Sequence, residues 1–262
     1  MFKIGLKLWS TNTDHYLCEA KKLYEEGFFD YIELYIVPNT LQALSKWKEY
    51  DFPFIIHAPH FVHGFNLADA QKKYSNFLIY KEVKRFADEL KALFIIFHGG
   101  IDGDINETIQ QLASFRDPRT LIENKPYQAL PNKMGGKFCR GATIEEIKLV
   151  KDKVKCEFCL DFGHAICAAN SLGINIYEYC RELLEFKPQM YHLTDLIDIT
   201  SPYDSHLHLG TGELDFKRIF EMIPNTSYIT FETPKNIKTN LNDFVEDIAW
   251  FRNFINDSIT LN

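Results

Sequence analysis

Short apolar runs alternate with longer amphipathic segments along nearly the whole chain. Eight runs have the length and residue types of strands: residues 3–10 (KIGLKLWS), 31–37 (YIELYIV), 52–60 (FPFIIHAPH), 93–100 (LFIIFHGG), 119–126 (RTLIENKP), 154–165 (VKCEFCLDFGHA), 189–195 (QMYHLTD) and 228–234 (YITFETP). Between most of them the apolar positions recur at helical spacing, as in residues 15–27, 40–50 and 76–91. Gly27 is a stop signal for the first of these helices, and Thr143 with Glu146 three residues on reads as a capping box for a later one. Strands separated by helices imply a parallel sheet. Eight such units in 262 residues imply one closed (β/α)8 barrel, a single domain over residues 1–262. No G-x-G-x-x-G follows the first strand, so a dinucleotide fold is disfavoured. The longest irregular stretch, residues 125–142, follows the fifth strand and is a candidate lid or substrate loop.

Composition narrows this picture. A formal net charge of −7 weighs against loose binding to nucleic acid, which depends on Lys and Arg neutralising phosphates. The six cysteines show no disulfide-framework spacing, and the lone C-x-x-C (Cys156, Cys159) lacks the second pair of a zinc knuckle. The set reads as reduced thiols of a cytoplasmic protein, with Cys156 and Cys159 buried in a strand. No leader pattern and no membrane-length apolar run is present.

The candidate chemistry lies where the strands end. The third ends in His57, the fourth in His98, the fifth in Glu123 and the sixth in Asp161, with His164 three residues on. The seventh carries His192 and the eighth ends in Glu232. After strand seven, SPYDSHLHLGTG places Asp204, His206 and His208 at alternate positions. Strand ends of a barrel converge on one rim, where active sites of this fold lie. Clustered carboxylates repel unless protonated or bound to cations. Imidazoles mixed with carboxylates suit zinc, manganese or iron, so a divalent metal site is expected.

The motifs HAP (57–59), FHGG (97–100), IEN (122–124), DFGHA (161–165), HLTD (192–195), DSHLHLGTG (204–212) and FET (231–233) come in the order seen in the endonuclease IV and xylose isomerase-like TIM-barrel superfamily, which the chain resembles over nearly its whole length. Endonuclease IV is an AP endonuclease with three zinc ions. The resemblance implies one metal on His57, His98 and Glu123, and a second on Glu123, Asp161, His192 and Glu232, with Glu123 bridging. It implies a third on His164, Asp204 and His206. His208 matches no ligand of the family and is a candidate for substrate contact.

Around the ligands the likeness to the DNA enzymes is thinner. Their tyrosine three residues after the first ligand histidine is His60 here, their arginine between two ligands is Ser205, and no Asn-Pro-Arg follows strand two. Each change removes a wedge or a phosphate contact. IGLKLWS and DYIELY resemble instead the sugar isomerase and epimerase branch, in which Trp9 and Glu33 would contact a polyol. A buried Glu33 paired with a lysine is the equal alternative. His60 reads as substrate-side or solvated, and Lys125 either reaches an anionic group over the rim or is exposed. The leading expectation is a divalent-metal enzyme for a small sugar or sugar-phosphate-like substrate. Glu123 and Glu232 would remove and return a proton beside a carbonyl, through an enediolate. The alternative is a tri-zinc phosphodiesterase of the endonuclease IV type, and the third is a non-catalytic binding protein on the same barrel. One metal, manganese above all, fits the first; three zincs fit the second.

Overall fold

The computed structural model describes residues 1–131 and 133–260. Eight strands close into a barrel in sequence order: β1 (Lys3–Trp9), β2 (Tyr31–Tyr35), β3 (Phe54–His57), β4 (Ile95–His98), β5 (Thr120–Glu123), β6 (Glu157–Asp161), β7 (Met190–Leu193) and β8 (Tyr228–Phe231). Every pairing is parallel, and β8 closes on β1 through Lys3–Tyr228 to Leu6–Phe231. The described helices are α1 (His15–Glu25), α2 (Leu44–Trp47), α3 (Lys73–Glu89), α4 (Ile105–Phe115), α5 (Ile144–Val154), α6 (Phe162–Leu172), α7 (Ile176–Leu184), α8 (Phe216–Met222) and α9 (Asn242–Thr260). None among the described residues is long and apolar enough to cross a membrane.

Strand alternation sorts the side chains into two sets. Ile4, Leu6, Leu8, Ile32, Leu34, Ile56, Ile95, Phe97, Ile122, Phe158 and Leu160 join the large core between barrel and helices. The opposite set points inward, and its lower layer is apolar: Tyr31, Ile55, Ile96, Leu121, Cys159 and Met190 pack together as a separate buried cluster. Gly5 makes room for that layer. A Cβ there would lie 2.5 Å from the Tyr31 ring and 2.7 Å from Thr230 Oγ1, two groups that hydrogen-bond to each other at 2.9 Å. Two residues further along each strand the inward set turns polar, with Lys7, Glu33, His57, His98, Glu123, Asp161, His192 and, after β8, Glu232. The barrel is a cup with a hydrophobic floor and an ionisable layer directly above it.

Three local expectations are corrected. The helix expected over residues 40–50 is a 3-10 turn (Leu41–Ala43) running into the four-residue α2. Trp47 is fully buried and donates its Nε1–H to Ser10 O (2.9 Å), and Pro53 directs the chain into β3 soon after. The sixth strand stops at Asp161, because its carboxylate accepts the His164 N–H at 2.7 Å and caps α6, which begins at Phe162. Thr143 does cap α5 by accepting the Glu146 N–H (3.2 Å). The Glu146 carboxylate, however, accepts the N–H groups of Gly141 (2.7 Å) and Ala142 (3.2 Å) rather than that of Thr143. Residues 125–142 are pinned to the β4 loop: Cys139 bridges Ile101, and the Asp102 carboxylate accepts the N–H groups of Lys137 and Phe138 at 3.0 and 2.9 Å. Cys156 and Cys159 are buried free thiols.

Candidate metal centre

Glu123, at the end of β5, is the centre of the polar layer. Its Oε2 lies 3.0 Å from His98 Nε2, 3.2 Å from His57 Nε2 and 3.6 Å from His192 Nδ1. Its Oε1 lies 3.0 Å from His164 Nδ1 and 3.8 Å from Lys125 Nζ. One buried carboxylate thus meets four imidazoles, three through one oxygen and one through the other. Around it, ligand-type atoms of His57–His98–Glu123, of Glu123–Asp161–His192 and of His164–Asp204–His206 each lie within 4.8 Å of one another. These groupings bring together the residues expected for each metal, except that Glu232 groups with Glu33 and His57. It still touches the second group, with Oε1 2.9 Å from His192 Nδ1.

Three of the histidines are oriented from behind. His57 Nδ1 bonds to Ala58 O (2.7 Å), His206 Nδ1 to Glu232 O (2.6 Å) and His192 Nε2 to Glu33 Oε2 (2.8 Å). An oxygen acceptor fixes the proton on that nitrogen and leaves the other nitrogen's lone pair facing the cluster, the pattern by which metal-binding imidazoles are held. The residues present also fit metal by their unmet demand. Glu123 Oε1, His192 Nδ1 and Asp204 Oδ1 are buried without a well-directed hydrogen bond. Such atoms are costly in a dry interior unless something else satisfies them. Among the described residues, the five carboxylates of the cluster (Glu33, Glu123, Asp161, Asp204, Glu232) find lysine partners only in Lys7 and Lys125.

The electrostatics of the metal-free protein follow from that imbalance. Burial opposes the charge of His164, yet Asp161 and Asp204 raise its pKa to about 10. Burial likewise opposes His206, and Asp204 raises it to about 9. His98 goes the other way: burial, reinforced by the Lys125 ammonium, pushes it down to about 3. Asp161 is held up by burial and by the charges of Glu232 and Glu123, against the pull of His164. A cation entering between His164, Asp204 and His206 must therefore displace protons. Its affinity is expected to fall roughly tenfold per pH unit for each displaced proton as pH drops below about 9. Zinc titrations at several pH values with proton release recorded would check this; an affinity that ignores pH would remove both histidines from the ligand set.

Other expected contacts fall differently. Glu33 is fully buried, 3.0 Å from Lys7 Nζ and 2.8 Å from His192, the lysine-paired arrangement set beside a polyol contact as its alternative. Lys125 is buried with Nζ 3.0 Å from His164 Nε2, inside the cluster rather than over the rim. His208 is not drawn into any of these groups: Asp247 (3.1 Å) and Asn236 (3.2 Å) hold its ring. His60 stacks on His98 with ring centres 5.5 Å apart, and its N–H donates to Tyr35 Oη. Trp9 is 46% exposed and leans on Tyr35 and His63.

Two positioning residues close motifs of the sequence, Asn124 in IEN and Asp195 in HLTD, which by themselves assign them no role. Asn124 exchanges a reciprocal pair of 2.8 Å hydrogen bonds with the backbone of Asp161 and so ties the ends of β5 and β6 together. Asp195 is fully buried and accepts the N–H groups of Leu196 (2.8 Å), Gly212 (2.8 Å) and Leu214 (3.0 Å). Its backbone bridges Leu207, next to His206. This one side chain shapes the loop that carries Asp204 and His206.

The xylose isomerase-like TIM barrel family model matches residues 21–254. A curated relative, the Probable endonuclease 4 of Aster yellows witches'-broom phytoplasma (strain AYWB), is 26% identical over 199 residues, 70% of this chain. The chain spans 66% of that relative's length. Among solved structures, a D-tagatose 3-epimerase-like protein superposes with a TM-score of 0.73 at 17% identity, covering 98% of this chain and 99% of its own. Endonuclease IV from Thermus thermophilus superposes with a TM-score of 0.69 at 19% identity, covering 97% and 99%. With the barrel, the order of its motifs and a family match over most of its length, this chain belongs to the xylose isomerase-like TIM-barrel family.

Proposed function

We propose that the protein is a metal-dependent phosphodiester hydrolase whose centre holds more than one divalent cation, zinc by its donor set. The observation that carries this reading is the reach of Glu123, whose Oε2 faces His57, His98 and His192 while Oε1 faces His164. A carboxylate so placed is suited to sharing between cations rather than to serving a single one. His57, His98 and Glu123 would hold one ion, Glu123, Asp161, His192 and Glu232 a second, and His164, Asp204 and His206 a third. Bound there, the ions would supply Lewis acidity to a phosphoryl group and its leaving oxygen. The chain's own part is positional. Ala58 O, Glu33 and Glu232 O fix three imidazoles, the Lys125 ammonium adds positive charge beside His164, and the apolar floor keeps water from below. The relative named Probable endonuclease 4 supports a phosphodiester substrate. His60 and Ser205 stand where tyrosine and arginine contacts to DNA are expected, so incision of an abasic duplex should be weak at moderate salt.

A second reading, a single-metal sugar isomerase or epimerase, is favoured by one observation: Glu123 and Glu232 both border His192 Nδ1, at 3.6 and 2.9 Å. Two carboxylates flanking one site could remove and return a proton. Metal analysis of protein purified without chelator separates the readings, followed by assays on bis(p-nitrophenyl) phosphate, an abasic duplex and a panel of ketoses. Two or three zincs with phosphodiester turnover is the expected result. One ion with ketose interconversion would replace it with the second reading.

A further inference from the structure

Lys7 lies inside the ligand layer. The β1–β2 register sets it opposite Glu33, and β8, on the other side of β1, delivers Glu232 just past Phe231. Its ammonium is 3.0 Å from Glu33 Oε1 and in direct contact with Glu232 Oε1, with only 14% of the side chain exposed. His192 closes the ring, 2.8 Å from Glu33 Oε2 and 2.9 Å from Glu232 Oε1. Glu33, His57 and Glu232 also place ligand-type atoms within 4.8 Å of one another, so by donor type alone they form a fourth candidate metal group.

We infer that Lys7 is the resident cation of that fourth group, and that by holding Glu232 it weakens metal binding at the neighbouring position on Glu123, Asp161, His192 and Glu232. The inference rests on the cluster's binding metal. Two effects act together. The ammonium occupies the carboxylate oxygen that an incoming ion needs, so binding must break a buried ion pair, which is costly. A fixed positive charge next to a ligand also repels a dication, and in a poorly solvated interior that repulsion is little screened. The His57–His98–Glu123 and His164–Asp204–His206 groups contain no residue in direct contact with Lys7, so its ammonium blocks no ligand there; the cation beside those groups is Lys125, 3.0 Å from His164 Nε2 and 3.8 Å from Glu123 Oε1.

The test is a zinc titration of chelator-stripped protein in competition with a chromogenic chelator, read as stoichiometry and stepwise affinity. Lys7→Met is expected to tighten one zinc step at least tenfold relative to wild type. Lys7→Arg, which keeps the charge, should stay near wild type. Should Lys7→Met alone fail to melt cooperatively, Lys7→Gln, which removes the charge but keeps a donor for Glu33 and Glu232, is expected to show the same tightening. Stepwise affinities in Lys7→Met, or in folded Lys7→Gln, that match or fall below wild type would overturn the inference. Wild type that takes up no zinc would instead overturn the metal-centre reading, so the two failures are distinguishable.

Discussion

Glu123→Gln is expected to leave the protein with at most one bound metal and to lower turnover roughly a thousandfold or more, the scale of losing several kcal/mol of Lewis-acid stabilisation. The glutamine keeps size and one acceptor oxygen but loses the charge that faces four imidazoles. The metal-free protein should suffer as well. His164 and Lys125 are buried beside Glu123, and withdrawing their counter-charge should cost about 3 kcal/mol, as for other broken buried ion pairs. Elemental analysis, kinetics and urea denaturation of the same preparations check all three effects. A full metal complement with near-wild-type turnover would remove Glu123 from the centre of the site.

The second large effect is expected far from any reacting atom. Asp195→Ala deletes the acceptor of three N–H groups, and its carboxylate lies fully buried. Unsatisfied buried donors cost about 1–3 kcal/mol each, and partial relaxation of the loop brings the expected loss to about 3–5 kcal/mol. Gly212 packs closely on this segment, since a Cβ there would lie 2.2 Å from Leu196 O and 2.6 Å from Asp195 Oδ1. The loop that loosens carries Asp204 and His206, so zinc should be lost from their group while His57, His98 and Glu123 keep theirs. Asp195→Asn, which retains Oδ1 for Leu196 and Leu214, should lie between wild type and alanine. Denaturant midpoints together with zinc stoichiometry report the outcome; equal loss from every group would mean general unfolding rather than release of one loop.

Much of the architecture is legible in the chain alone. The barrel follows from eight apolar runs separated by amphipathic segments, because strand and helix bury their faces at different periods. The ligand groups follow from acids and histidines at the C-terminal ends of those runs, which a closed parallel barrel gathers at one mouth. What escapes is register and depth. Lys7 reads as one polar residue in a strand until the pairing of β1 with β2 sets it against Glu33. Glu33 stands in mid-strand, where sequence leaves a polyol contact and a buried ion pair equally open; it lies in the polar layer itself, held by Lys7 and His192. His208 follows His206 by two residues and so promises the same direction. Asp247 on α9 takes its ring instead. Lys125 follows a strand end and so reads as a rim residue, but it is buried against His164 of α6. In each case the deciding partner lies on a different element, far along the chain.

The hydrophobic floor has a consequence for traffic. Tyr31, Ile55, Ile96, Leu121, Cys159 and Met190 close the cup from below, so ions, water and reactant share one doorway. If the centre works as proposed, cations would load before a reactant covers the mouth and would be held until it has gone. Turnover and metal exchange would then be mutually exclusive events at the same opening, and a busy enzyme would be, by construction, one that keeps its metals.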